Sequence, residues 1–352
     1  MFTPELLPPF VKIQSENEAT GIIVGAIDKE AKNLLVVDTD NPEMNKNLLV
    51  FGGSSTGKTH CYIKQYCVQA IKRGESVILA DPKGELYEDM SAYFVKNGYT
   101  VRRFDISMPR NSDHWDVFSY VNTLDEYRQR EIRNIIGGFP ELTTPFGVLG
   151  HNEIDMNLPT QEKCAYFVRS SAEYTSMQEE SNFIGALFIE ALLSKIYENE
   201  YCKIPVNFVL DDFSLMGPIP KFAKIVKQGS LKNVSFCIAT NALYQLKKRY
   251  PESWKAITDA CSTWVYTHIN EMETFEYFVD YMADNQVLDV KSGVKFKAIG
   301  ISFPLTQSAD ETLIVSPGEY GIAAYKAAIS QRSFAEELKP SNAANYIPAR
   351  MY

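Results

Sequence analysis

Among the six cysteines there is no C-x-x-C pair, and only four histidines are scattered through the chain, so neither zinc spacing nor a disulfide framework is written along it. Cys67 and Cys237 fall in segments that read as helix and strand cores, and as small buried hydrophobes in a reducing compartment they carry no chemistry. No run approaches the roughly 18 consecutive apolar residues of a membrane span, and the N-terminus lacks the basic and apolar regions of a signal peptide. As given, the chain reads as soluble. Positive charge is scarce as well: 35 Lys and Arg stand against 44 Asp and Glu, a formal charge of −9. That balance excludes an overall electrostatic footprint for nucleic acid and leaves only a local contact open. Internal repeats and low-complexity tracts are missing too. What is present is the 45% hydrophobic and 12% aromatic content of a packed protein, in 352 residues that suffice for one large α/β domain with an insertion or for two smaller ones.

Residues 1–46 carry Pro8-Pro9 and two β-like runs, 21–27 and 33–37, which read as a small β flap. An apolar strand follows, Asn47-Leu48-Leu49-Val50-Phe51, and runs straight into Gly52-Gly53-Ser54-Ser55-Thr56-Gly57-Lys58-Thr59. Ile63, Cys67, Ala70 and Ile71 then recur at helical spacing until Gly74 stops the helix. A second strand, turn and helix spans 76–96, with the turn Asp81-Pro82-Lys83-Gly84-Glu85, and a further strand covers 100–104. This alternation predicts a parallel sheet covered by helices. From 119 to 199 the pattern reads as a helical insertion around a Gly-, Pro- and Thr-rich stretch, 137–159, that reads as a mobile loop. Strand character returns at 206–210, 234–240 and 263–267, and the tail adds β-like runs at 294–303 and 312–315.

The stretch 52–59 satisfies G-x-x-x-x-G-K-[ST] in the context that gives the motif its chemistry, a strand before it and a helix after it. Glycines let backbone N–H groups turn toward phosphate oxygens, and the helix N-terminus adds its dipole. Gly52, Gly53, Ser54, Ser55, Thr56 and Gly57 form the cradle, Lys58 is expected to reach the β and γ phosphates, and the Thr59 hydroxyl to coordinate magnesium. Such a site needs a carboxylate at the end of a neighbouring buried strand. Val206-Asn207-Phe208-Val209-Leu210-Asp211-Asp212 supplies one, with Asp211 expected on the metal side and Asp212 expected to orient water. ATP and magnesium are the implied ligands. Other features have plainer readings. Asp81 to Glu85 is on composition a charged turn, Lys247-Lys248-Arg249 a solvated helix end, and Phe275, Phe278 and Met282 a core face; Trp115 reads as a buried anchor and His60 as a surface or packing residue.

Several of these stretches together resemble the coupling proteins of conjugation and type IV secretion, the TraG-type ATPases. The likeness rests on 52–59; on Asp81-Pro82-Lys83-Gly84-Glu85-Leu86-Tyr87-Glu88; on 97–101 continuing to Asn111-Ser112-Asp113-His114-Trp115-Asp116; and on Leu210-Asp211-Asp212-Phe213 with Gly217-Pro218-Ile219-Pro220-Lys221-Phe222. Tyr244-Gln245-Leu246-Lys247 and Asn270-Glu271-Met272-Glu273-Thr274 add a weaker match. The resemblance implies a RecA-like nucleotide-binding domain over 47–118 and 200–352, acting as a hexameric ATPase that links a DNA–relaxase substrate to a transfer channel at the inner face of the bacterial membrane. Copies of itself and secretion or relaxosome proteins would be its partners, with DNA possible although no local basic site is visible. Three departures stand out: Asp212 where the family has Glu, Asn241 where it has a sensor Gln, and 228–233 where it has an Arg-containing segment. The family's N-terminal membrane helices and most of its all-α domain also read as absent. The reading is therefore a coupling-protein-type ATPase, with a nucleotide-binding assembly or recruitment module of little or no hydrolysis as the alternative. A small-molecule kinase would need an Arg-rich lid over the phosphates, and none is seen.

Overall fold

The computed structural model describes residues 2–42, 44–144, 147–170, 178–200, 202–268, 271–298 and 308–349. Its strands are β1 (Val11–Gln14), β2 (Ile22–Ala26), β3 (Leu34–Val37), β4 (Leu48–Gly52), β5 (Ser76–Ala80), β6 (Thr100–Asp105) and β7 (Cys164–Arg169) in the first half of the chain. The second half adds β8 (Val206–Leu210), β9 (Val234–Thr240), β10 (Thr263–Thr267), β11 (Gln286–Asp289), β12 (Val294–Lys297), β13 (Glu311–Val315) and β14 (Gly321–Tyr325). The chain divides into two compact units. One holds residues 1–74, 209–214 and 221–337; the other holds 75–208, 215–220 and 338–352.

In the first unit β9, β4 and β10 run parallel, with Leu49 beside Ile238 on one side and Trp264 on the other. β4 is buried at every residue, as a strand covered on both faces must be, which is why it reads as one continuous apolar run. β13 pairs antiparallel with β10 and β14 with β13, and β14 meets the N-terminal strands through Tyr325 and Ala26. The flap is three-stranded: β1 joins the two expected runs, and β3 pairs with both β1 and β2. Ala19, Ile23, Ala26, Leu34, Val36 and Ala327 close a small core under it. After residue 58 the chain forms a π-helical stretch, Thr59–Ile63, before the α-helix Lys64–Lys72. Residues 64–71 of that helix are all buried, and Gly74 ends it at φ 71°. Phe275 and Phe278 face the core from the helix Met272–Tyr281, where Phe278 packs edge-on against Phe51.

The second unit corrects one expectation. Within 119–199 the chain was expected to be helical, yet Cys164-Ala165-Tyr166-Phe167-Val168-Arg169 is β7, lying parallel between β5 and β6. A short apolar run has no period that separates a buried strand from a buried helix, and the hydrogen-bonding edges of β5 and β6 decide the matter. The helices Val117–Val121, Glu126–Gly137 and Gln178–Glu198 flank β7 in the chain. Trp115 is buried between Phe104 and Phe188. The last part of the 294–303 run, and Asn270, lie outside the described residues.

Candidate nucleotide site

Parallel strands end on one edge, and in the first unit β4, β9 and the end of β8 bring three loops to it. β4 closes on Gly52. A side chain there would collide with Thr267 Oγ1 and Thr56 Oγ1, so glycine is required by close approach. Gly57 has φ 89°, the left-handed region that turns the loop into its helix. Side chains then pin the loop: Thr56 Oγ1 donates to Gly53 O at 2.9 Å, and Thr267 Oγ1 to Thr56 Oγ1 at 2.7 Å. Lys326, just beyond β14, donates from Nζ to Thr56 O at 2.8 Å and to Ala309 O at 2.7 Å. Burial pulls the Lys326 ammonium below the usual lysine range.

Lys58 is buried under the loop that it follows. Its Nζ donates to Gly52 O at 2.7 Å, to Gly53 O at 3.2 Å and to Asn241 Oδ1 at 2.8 Å. Asn241 reaches it because β9 lies between β4 and β8 and ends at Thr240, one residue earlier. On the other side Thr59 Oγ1 donates to Asp211 Oδ2 at 2.9 Å. Asp211 is buried, and desolvation first, with the Asp212 charge second, raises its carboxyl above the usual range, against the Thr59 hydrogen bond and Lys58. Asp212 takes a left-handed backbone, φ 44°, and its N–H donates to Asp211 Oδ1 at 3.0 Å. Lys58 thus meets Asn241 on one side of the loop and Thr59 meets Asp211 on the other, with the Asp212 N–H bonded to Asp211.

The donor set suits a small hard cation. Two neighbouring oxygens of an octahedral magnesium at about 2.0–2.1 Å stand about 2.9 Å apart, the separation of Thr59 Oγ1 and Asp211 Oδ2. Beside the loop lies a cavity of about 470 Å³, lined by Ser55, Thr56 and Gly57 and by Lys29, Tyr325 and Lys326.

The other singled-out motifs hold structure. Asp81 is buried, and its Oδ2 accepts from the N–H of Tyr87, the third residue of the helix Glu85–Lys96, at 2.8 Å. Asp113 takes the N–H of Ala349 at 2.7 Å and the Tyr346 hydroxyl, fastening the C-terminal segment. Burial outweighs those bonds and raises the Asp113 carboxyl. Gln245 Oε1 accepts from Ser214 Oγ at 3.0 Å, and Arg249 donates to Ser214 O at 3.0 Å, bracing the segment that follows Asp212. Sequence reasoning passed over Thr267 and Lys326. Thr267 had a signal, as the polar end of an apolar strand; Lys326 had none.

This geometry meets two family models. Residues 12–139 match the type IV secretory system conjugative DNA transfer family, and residues 205–312 match the TraM recognition site of TraD and TraG. Together they take in about two thirds of the chain. The chain belongs to the type IV coupling-protein family, the ATPases of conjugative DNA transfer. Its fold is similar to that of the plasmid coupling protein TrwB in complex with the ATP analogue ADPNP, at TM-score 0.62 and 10% identity over 92% of this chain and 96% of that one. TrwB in complex with ADP and Mg²⁺ matches at TM-score 0.62 and 10% identity, over 90% and 93%. VirB4 of Thermoanaerobacter pseudethanolicus matches at TM-score 0.53 and 12% identity, over 90% and 98%. No curated protein matches by sequence. These likenesses show the RecA-like P-loop fold, a mostly parallel central sheet flanked by helices. Among the described residues no helix is long and apolar enough to cross a membrane.

Proposed function

We propose that this chain binds ATP with Mg²⁺ at residues 52–59 and hydrolyses it as one subunit of a ring that works on a DNA–protein substrate at the inner face of the bacterial membrane. The observation that carries the reading is the contact of the Thr59 hydroxyl with the Asp211 carboxylate beside the phosphate loop. Magnesium, when bound, neutralises charge on the β and γ oxygens. Thr59 and Asp211 would hold it. Lys58 exchanges its present carbonyl acceptors for phosphate oxygens, and Asn241, released from Lys58, is free to contact the γ-phosphate. Asp212 orients the attacking water. The cavity beside Ser55, Thr56 and Gly57 has the size and position for ribose and base. The match over 205–312 supports a relaxosome-type protein partner.

Steady-state ATPase activity of the purified chain, with and without single- and double-stranded DNA, tests this. Magnesium-dependent turnover that DNA raises is expected. Tight ATP binding with only background turnover, whatever the DNA, would replace the motor with a nucleotide-gated recruitment module. One observation favours that second reading: Asp212 carries a carboxylate one methylene shorter than the family's Glu on a left-handed backbone.

A further inference from the structure

No zinc spacing runs along this sequence, but the second unit assembles metal-ligating side chains from distant positions. His114 follows β6 and His151 lies 37 residues later, and their Nδ1 atoms are 3.3 Å apart with ring centroids at 4.4 Å. Glu153 joins them, and the three residues each offer a ligand-type atom within 4.8 Å of the others. The backbone around them is firmly held. His114 N donates to Glu153 Oε2 and Glu153 N to His114 O, both at 2.8 Å. Trp115 N donates to Val148 O, and Asp116 N to Asn152 Oδ1, again at 2.8 Å.

We propose that His114 and His151 bind a transition-metal ion of the Zn²⁺ class through their Nδ1 atoms, with Glu153 as the positioning carboxylate. Two nitrogens on one zinc at about 2.0–2.1 Å are about 3.3 Å apart in a tetrahedron, the spacing of these two Nδ1 atoms, and a metal ion would take the place of the proton they now share. His151 Nε2 meets Glu153 Oε1 at 3.0 Å. A proton on Nε2 donated to that carboxylate leaves the lone pair on Nδ1, the tautomer a metal needs. His114 is buried whereas the His151 side chain is 43% exposed, so an ion enters from the His151 side and water completes its shell. All six cysteines are buried and none belongs to the cluster, so soft ligands do not compete. Bound metal would clip residues 148–153, in the stretch 137–159 that the sequence reads as a loop, to residues 113–116 after β6.

The test is Co²⁺ and Zn²⁺ binding to the full chain without nucleotide, by visible absorption and calorimetry, in a background of Asp211→Asn to silence the phosphate-loop metal position. One equivalent is expected, with Zn²⁺ raising the melting temperature. His151→Ala, at an exposed position that folding tolerates, should abolish both effects, and Glu153→Gln should weaken binding about tenfold. Absence of any bound equivalent, or binding unchanged in folded His151→Ala, would overturn the proposal and leave a hydrogen-bonded His–His–Glu relay. Neither result bears on ATP binding at residues 52–59.

Discussion

Two strand ends in this protein carry an aspartate that the sequence offers for function, and they have different fates. Asp211, after β8, accepts from a side-chain hydroxyl on another element, has a second carboxylate next to it, and is held above the usual carboxyl range by burial. Asp81, after β5, accepts from a backbone N–H of the helix that immediately follows. Holding the first turn of that helix is a structural part. An acid whose partner is a displaceable hydroxyl, in a site that penalises its charge, is prepared for a cation. The residue type and its place at a strand's carboxyl end are the same, so the partner is what separates the two.

The sharpest way to break that comparison lies at the loop shared by the metal and phosphate positions. Lys58→Ala should lower ATP affinity by at least about 100-fold, because charge-assisted bonds of about 1.5–3 kcal/mol each are lost. Calorimetry for affinity and circular dichroism for the fold check this, and a folded mutant with unchanged affinity ends the site assignment. Next comes Asp212→Glu, which should raise Mg·ATP turnover by about tenfold or more if reach is what limits the water-orienting group. Slower turnover on a wild-type chain that already hydrolyses ATP briskly would show that Asp212 is no impairment.

A third prediction concerns pH. The folded Asp211 carboxyl is raised, so the neutral form favours the ligand-free fold, and that contribution is present at acid pH and lost as pH rises through the folded value. Mg·ADP, which needs the ionised form, should therefore stabilise the chain progressively more as pH rises above the usual carboxyl range. In Asp211→Asn that pH dependence should vanish and magnesium should add little to nucleotide binding, while ligand-free stability at pH 7 stays equal or increases; thermal shift across pH 4–8 reads all three. The smallest effect belongs to the other aspartate. Asp81→Ala should cost about 1–2 kcal/mol of stability and leave ATP affinity within about twofold, measured by urea unfolding and calorimetry. Should Asp81→Ala abolish binding instead, Asp81 belongs to the nucleotide site and the two strand ends share one role.

Local chemistry was legible where a motif is contiguous. Residues 52–59 announce a phosphate loop because the glycines, the lysine, the preceding apolar run and the following helix all sit within one stretch of chain. The strand ending at Asp211 was legible for the same reason, and the flap runs were legible because Gly and charged turns bound them. β7 was not, since its run of five apolar residues before Arg169 fits a strand or a helix until β5 and β6 offer their edges.

By itself, then, the sequence determined the phosphate loop, its family resemblance and the alternation that yields a parallel sheet, because each depends on neighbours in the chain. Only the tertiary structure decided that Asn241 meets Lys58 across 183 residues, that Thr59 meets Asp211 across 152, and that Lys326 holds Thr56 from 270 residues away. Those contacts come from strand order: β9 lies between β4 and β8, and β14 reaches β10 through β13. Strand order is set by which edges pair, and no local pattern encodes that.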